Sequence, residues 1–415
     1  FLISEACHVR ESLPLKGCLH TPPGGSAGCR TRARYLQHCA EQGSTHASLC
    51  VSARSLLWVA KHMLPTDLDG VDAARLREIV HGGPSETVAL TTAATRMHNA
   101  RPWLKFIRCW RQQQPSIPFK EPLERFVSWM RDERGLTPCT VSQWRSRVVT
   151  FLRWCGSTGR DLATLRPEDI DAYFVTFGAQ RWSRISAGHV ATLLRVFLRQ
   201  AAMNGACSNT LADSIRSPRR YALESLPYAL SWDDVRRLLA TANSDSEHDM
   251  RDRAILMLLA VYGLRRGEVA ALRLDQIDWA AGQLRIWRLK RRQPQVYPLV
   301  HSVAEALATY IDIARPKVPY AEVFIRIQAP RIPISAYGLY NIVSRRLRSL
   351  DIQAAHLGPH ALRHACAAKL LTDGLSLKEI GDHLGHRSTS ATMTYTKIDL
   401  AALREVGDFD LGELP

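Results

Sequence analysis

One helical pattern occurs twice in this chain. From Arg30 apolar residues recur at the three- and four-residue spacing of amphipathic helices: Tyr35-Leu36, Leu56-Leu57-Trp58-Val59, Ala74–Val80 and Ala93–Trp110. A little over ninety residues later the series returns. ARYLQHCAEQG (33–43) aligns with ERFVSWMRDERG (124–135), and LLWVAKHM (56–63) with VTFLRWCG (149–156). DLDGVDAARLREIV (67–80) aligns with DLATLRPEDIDAYFV (161–175), and ARPWLKFIRCW (100–110) with ATLLRVFLRQA (191–201). Any two four-helix patterns share some likeness, but here helix order and loop lengths agree together, which favours a tandem duplication. A chain built this way is committed to two small helical bundles before its remaining residues begin.

The chain has 415 residues, enough for two to four domains, and 46% of them are hydrophobic, which suits packed cores rather than disorder. The net charge of +16 points to a polyanionic partner. It is uneven: residues 101–220 carry 20 Lys and Arg against nine Asp and Glu, +11 of the total. A basic solvated surface is the plain account of such a stretch; arginines interleaved with Trp and Phe favour a nucleic-acid face. The ten cysteines are scattered without a Cys-x-x-Cys. Cys109, Cys155 and Cys366 sit in apolar helical patterns, as reduced core thiols of a cytoplasmic protein would. No apolar run reaches membrane-spanning length, so no membrane partner is expected.

Composition shifts divide the chain. Residues 1–29 are rich in Gly, Pro and Cys and are expected to be poorly ordered. Residues 30–115 hold the first helical copy and 116–207 the second, opened by Pro115, Pro118 and Pro122. In the second copy Thr140 is the expected helix cap, and Arg145, Arg147 and Arg153 follow on that helix. These arginines either touch phosphates without reading bases or form a solvated face. Residues 208–227 read as an extended linker in which Arg219 and Arg220 would lie along a nucleic-acid backbone. From 228 to 415 a mainly helical domain is expected, with Ser231 as a cap, Ala254–Tyr262 as a buried helix, and strands at Asp278–Trp287 and Gln295–Leu299 around a basic turn, Lys290–Gln293. A short helix over Leu400–Val406 and an acidic end follow. The fold class is therefore mainly α with a small antiparallel β-sheet in the last domain.

Chemistry concentrates between Leu357 and Ile398. His360 and Arg363 stand three apart, His386 follows Leu384-Gly385, and Tyr395 comes nine residues later. Upstream the buried helix ends in Gly263-Leu264-Arg265-Arg266-Gly267-Glu268. Two arginines, two histidines and a tyrosine suit phosphoryl transfer without a metal: guanidinium is permanently charged, planar and bidentate toward phosphate. The sequence shows no clustered carboxylates of the kind that hold magnesium, so neither metal nor cofactor is expected. Taken singly, each residue has a plainer role: Arg265 a surface side chain after a buried helix, His386 a cap or core residue.

In order and spacing these motifs resemble the tyrosine recombinase family, the phage-integrase and Xer-type enzymes, firmly over about Leu226–Leu400 and more loosely over 116–207. The resemblance selects Arg265 over Arg266 and pairs it with Arg363 as a clamp on the scissile phosphate. It makes His360 the general base or a hydrogen-bond partner of the nucleophile, His386 a donor to the phosphate, and Tyr395 the nucleophile. His364 is left structural, and Tyr310, Tyr337 and Tyr340 are assigned to packing. Lys290 becomes the general acid for the leaving 5′-oxygen, although Leu289-Lys290-Arg291 replaces the family's Gly-Lys-Gly and the count from Arg265 is one residue long.

What the resemblance implies is a site-specific DNA recombinase, an integrase or transposase of a bacterial mobile element, acting through a 3′-phosphotyrosyl intermediate. The multi-domain chain would close on double-stranded DNA as a clamp and self-associate to a tetramer there. Accessory recombination proteins stay an open class of partner. Two rival readings use the same residues: a nicking-closing, topoisomerase-like enzyme, and a catalytically decayed DNA-binding protein.

Overall fold

A computed structural model describes residues 26–81, 90–111, 117–219, 230–288, 293–352 and 357–386, together with Thr392. The chain divides into two compact units, one of residues 112–224 and one that joins 1–111 to 225–415.

The first helical copy comprises α1 (Ser26–Glu41), α2 (His46–His62), a 3₁₀ turn (Pro65–Asp69), α3 (Ala73–His81) and α4 (Leu90–Phe106). The helix placed from Arg30 in the sequence thus begins at Ser26, inside the Gly-rich stretch. Thr45 caps α2 by accepting from the Ser48 N–H, and Asp67 caps the 3₁₀ turn while pairing with Arg75 at 2.9 Å. Leu56, Val59, Leu76, Trp103 and Leu104 form its core. Within the same unit, the Arg331 N–H donates to the Gln42 carbonyl at 3.0 Å.

The second copy has the same order: α5 (Lys120–Ser128) with a π turn to Glu133, α6 (Pro138–Ser157), a 3₁₀ turn (Leu162–Thr164), α7 (Pro167–Ala172) with a π turn to Gly178, and α8 (Arg184–Met203). Helices begin at residues 26, 73 and 90 in one copy and 120, 167 and 184 in the other, 94 apart each time. The cap of α6 is Thr137, not Thr140: Pro138 takes the first helical position, where its missing N–H costs nothing, and the Thr140 N–H donates back to Thr137. The supposed linker also differs from its reading. A helical turn, α9 (Leu211–Ser214), buries Leu211, Ala212 and Ile215 in this bundle's core, because three apolar residues there gain more by packing than by staying extended. Arg219 is described and exposed; Arg220 lies outside the described residues.

The last domain opens with α10 (Trp232–Ala240), capped by Ser231 as expected. The buried helix α11 (Glu247–Val261) starts seven residues ahead of its apolar run, because Ser246 caps it and Glu247 and Asp249 suit its positive first turn. A short α12 (Arg266–Ala270) leads to a three-stranded antiparallel sheet of β1 (Ile277–Asp278), β2 (Gln283–Arg288) and β3 (Gln293–Pro298). The single strand expected over Asp278–Trp287 is broken by a turn in which Asp278 accepts from the Ala281 N–H and Gly282 takes φ +60°. β2 and β3 pair in register from Gln283↔Pro298 to Arg288↔Gln293. Then come α13 (His301–Thr309), α14 (Ala336–Arg348), α15 (Pro359–Thr372) and α16 (Leu377–Leu384). α11 runs through the middle, fully buried from Ala254 to Leu256 and from Leu258 to Ala260. Tyr310 packs as expected, its hydroxyl accepting from the Ile325 N–H, but Tyr337 is 70% exposed because it stands on the outer face of α14's first turn. The segment 400–406 lies outside the described residues.

Candidate active site

The site forms where the ends of four helices meet β2 and β3. α11 stops at Val261, and Gly263 turns the chain with φ +56°. A Cβ there would lie 2.5 Å from Leu384 Cδ2 and 3.2 Å from Cys366 Sγ, so both conformation and space demand glycine. Two residues on, Arg265 is the N-cap of α12. The buried Glu268 carboxylate accepts from the Arg265 backbone N–H and from its Nη1, each at 2.9 Å. Arg265 Nη2 donates to the Gly385 carbonyl at 3.2 Å.

Pro359 opens α15, so His360 falls in its first turn, exposed between buried neighbours, and Arg363 one turn later on the buried side. Arg363 is 2% exposed. Its Nη1 donates to the Gly263 carbonyl at 2.5 Å and its Nη2 to the Leu384 carbonyl at 2.7 Å. The rings of His360 and His364 stand edge to face, 4.2 Å apart. Cys366 is a core thiol pushed up to about 12 by burial, and it donates to the Val261 carbonyl.

α16 begins with a reciprocal cap between Ser376 and Glu379 and ends on Gly385 at φ +66°, where the His386 N–H closes on the Gly381 carbonyl at 2.9 Å. His386 Nδ1 is 2.8 Å from the Thr392 hydroxyl, with the donor set by the tautomer. A Cβ on Gly381 would come within 2.9 Å of that hydroxyl, so a small residue there makes room for Thr392.

Arg265 and Arg363, read from motifs about a hundred residues apart, are thus brought to adjacent carbonyls immediately before His386. Lys290 and Tyr395 lie outside the described residues; Lys290 follows Arg288 by two residues and Tyr395 follows Thr392 by three. Arg145, Arg147 and Arg153 are exposed on α6 in the other unit. Sequence reasoning missed Arg288, Gln295, Tyr297 and Thr392. The one available signal was strand alternation: Leu284, Ile286 and Arg288 share the inward phase of β2, where an arginine stands out. Tyr297, pushed up to about 12 by burial, stays a phenol and donates to the His383 carbonyl.

Among the described residues no helix is long and apolar enough to cross a membrane. Residues 229–401 match the model of the phage integrase family. The chain is 30% identical to tyrosine recombinase XerC of Pelobacter propionicus over 296 residues, 70% of this chain and 95% of XerC. It is 38% identical over 287 residues to a Sinorhizobium fredii protein named as integrase/recombinase y4rA, covering 69% of each. A crystal structure of the XerH recombinase bound to palindromic difH substrate shares the fold, with a TM-score of 0.55 at 16% identity over 86% of this chain and 96% of that one. Lambda integrase bound to DNA does likewise, with a TM-score of 0.52 at 19% identity over 71% and 99%. With XerC matched over nearly its whole length, and arginines from two distant motifs meeting beside His386, the chain belongs to the phage integrase family, the tyrosine recombinases.

Proposed function

We propose that this protein is a site-specific recombinase of a bacterial mobile element, which cuts and rejoins double-stranded DNA through a 3′-phosphotyrosyl intermediate. The observation that carries the reading is the convergence of Arg265 and Arg363 on the carbonyls of Gly385 and Leu384, which sets two permanent cations beside His386. Tyr395 attacks phosphorus: its O–P bond forms as the P–O5′ bond breaks. His360 takes the phenol proton, Lys290 gives one to the 5′-oxygen, and Arg265, Arg363 and His386 stabilise charge on the non-bridging oxygens. One phosphoester replaces another, so a second 5′-hydroxyl can reverse the step without ATP.

Arg145, Arg147, Arg153, Arg219 and Arg220 contact phosphates in this reading and set register. The bundle of residues 30–115 is a further DNA grip, a proposal supported by its 94-residue repeat relation to the second bundle. DNA-bound relatives, among them a lambda integrase tetramer on a Holliday junction, support a tetramer on DNA. The test is direct. The protein is mixed in EDTA with DNA carrying the joined ends of the parent element, denatured, and assayed for a protease-sensitive covalent adduct. The adduct is expected from the parent chain and absent from Tyr395→Phe. Tight binding with no adduct, even on a nicked substrate that traps the intermediate, would favour the decayed DNA-binding protein.

A further inference from the structure

We infer that Arg288 is a positioning residue for strand cleavage: one buried guanidinium ties the helix end that carries His386 to the glutamate that holds Arg265. The inference rests on the recombinase reading above.

Arg288 is 1% exposed, the third inward residue of β2 after Leu284 and Ile286. A guanidinium in that place is costly unless its donors are used. All three of its nitrogens donate. Nη1 gives a hydrogen bond to Glu268 Oε2 at 2.6 Å, Nε to Gln295 Oε1 at 2.8 Å, and Nη2 to the His383 carbonyl at 2.9 Å and to the Tyr297 hydroxyl. Glu268 is the same carboxylate that holds Arg265 by backbone and side chain. The His383 carbonyl belongs to the last turn of α16, three residues before His386.

The last carbonyls of a helix have no partner within it and form the negative end of its dipole. Here four in succession are taken by side chains from other elements: Asp382 by Gln295, His383 by Arg288 with Tyr297 and Gln295, Leu384 by Arg363, and Gly385 by Arg265. Of these donors Arg265 and Arg288 also bond Glu268, and Arg288 is the fully buried one of the two, so through the shared carboxylate it couples the helix end to Arg265. Contact is close, for a Cβ on Gly385 would lie 2.8 Å from Arg288 Nε. Lysine keeps the charge, but its single nitrogen cannot serve Glu268, Gln295 and His383 along three directions.

The experiment measures single-turnover adduct formation by full-length Arg288→Lys on two DNAs, one with an ordinary scissile phosphate and one with a methylphosphonate there. The methylphosphonate lacks one charged oxygen and so asks less of Arg265 and His386. Misplacing these groups is expected to slow cleavage about 100-fold on phosphate, and several-fold less on methylphosphonate, with DNA affinity retained. Equal losses on both DNAs, or no loss on phosphate, overturn the inference. If Arg288→Lys does not fold, Tyr297→Phe, which removes one hydroxyl from the same node, gives the same substrate contrast at smaller size. Hydrogen exchange reads the anchor without activity: the His386 amide should exchange faster in either variant, and unchanged exchange counts against Arg288. Failure of the parent chain to form any adduct counts instead against the recombinase reading.

Discussion

In the bundle of residues 117–219 the interior is apolar and strongly aromatic. Phe126, Phe151, Tyr173 and Phe197 are fully buried, Phe151 and Tyr173 meet edge to face at 5.0 Å, and among the described residues no charged side chain is wholly buried there. Around α16 the last domain does the opposite: it buries Arg288 and Arg363 against backbone carbonyls and Glu268 against the guanidinium groups of Arg265 and Arg288. The contrast follows the tasks proposed for each. A module that grips a phosphate backbone needs only a rigid body with charge outside, which hydrophobic packing supplies without directional demands. A site that stabilises a transition state needs cations fixed within fractions of an ångström, which directional, fully satisfied hydrogen bonds provide.

The contrast can be broken first at Arg363. Arg363→Ala orphans the Gly263 and Leu384 carbonyls and removes one of the two proposed phosphate cations, so adduct formation should fall by about 10²–10³-fold, with DNA affinity largely kept. A fall in affinity with normal cleavage would place Arg363 in the grip rather than in the chemistry. In the aromatic bundle, Phe197→Ala should cost about 3–5 kcal/mol of stability, read as a shifted denaturation midpoint of the unit spanning 112–224. Pre-formed complexes below that midpoint should still cleave at the parent rate, and a chemical defect there would erase the distinction.

At the helix end, Gly385→Ala forces a left-handed backbone at φ +66° on a residue with a Cβ and crowds Arg288. The strain should cost about 1–2 kcal/mol, seen in melting temperature, and should slow cleavage by displacing His386. A smaller effect is expected from pH. Burial, and then the nearby Arg288 and Arg363 charges, hold His383 below the ordinary histidine value of 6.5. A depressed histidine stabilises the fold above the unfolded value, and that stability is lost as pH falls below about 6.5. His383→Gln should therefore flatten the drop in melting temperature on acidification; an unchanged drop removes His383 as its source. Smallest of all, Arg153→Ala should weaken DNA binding alike on all sequences and reduce the log–log salt slope by about one. A change in sequence preference would show base contact instead.

Much of this was legible in the sequence because it depends on local order. Helical periodicity located both bundles, since burying one face of a helix leaves a fixed spacing in the chain. Gly263, Arg265, His360, Arg363, Gly385 and His386 announced the site because family-like motifs carry them. Boundaries were harder. Thr137 rather than Thr140 caps α6 because Pro138 settles which residue ends the extended backbone. Leu211–Ser214 joins a core rather than a linker because an apolar surface was available to it.

The sequence by itself determined the helical class, the doubled bundle, the surplus of positive charge, and the identities of the arginines and histidines at the candidate site. Those properties reside in residue type and spacing, which are fixed before the chain folds. Only the tertiary structure decided that Glu268 is shared between Arg265 and Arg288, that four successive carbonyls of one helix end are satisfied from elsewhere, and that Thr392 meets His386. Hydrogen bonds between residues a hundred positions apart leave no periodic trace in a sequence. They exist because a buried helix end must find donors, and the fold determines which side chains are near enough to supply them.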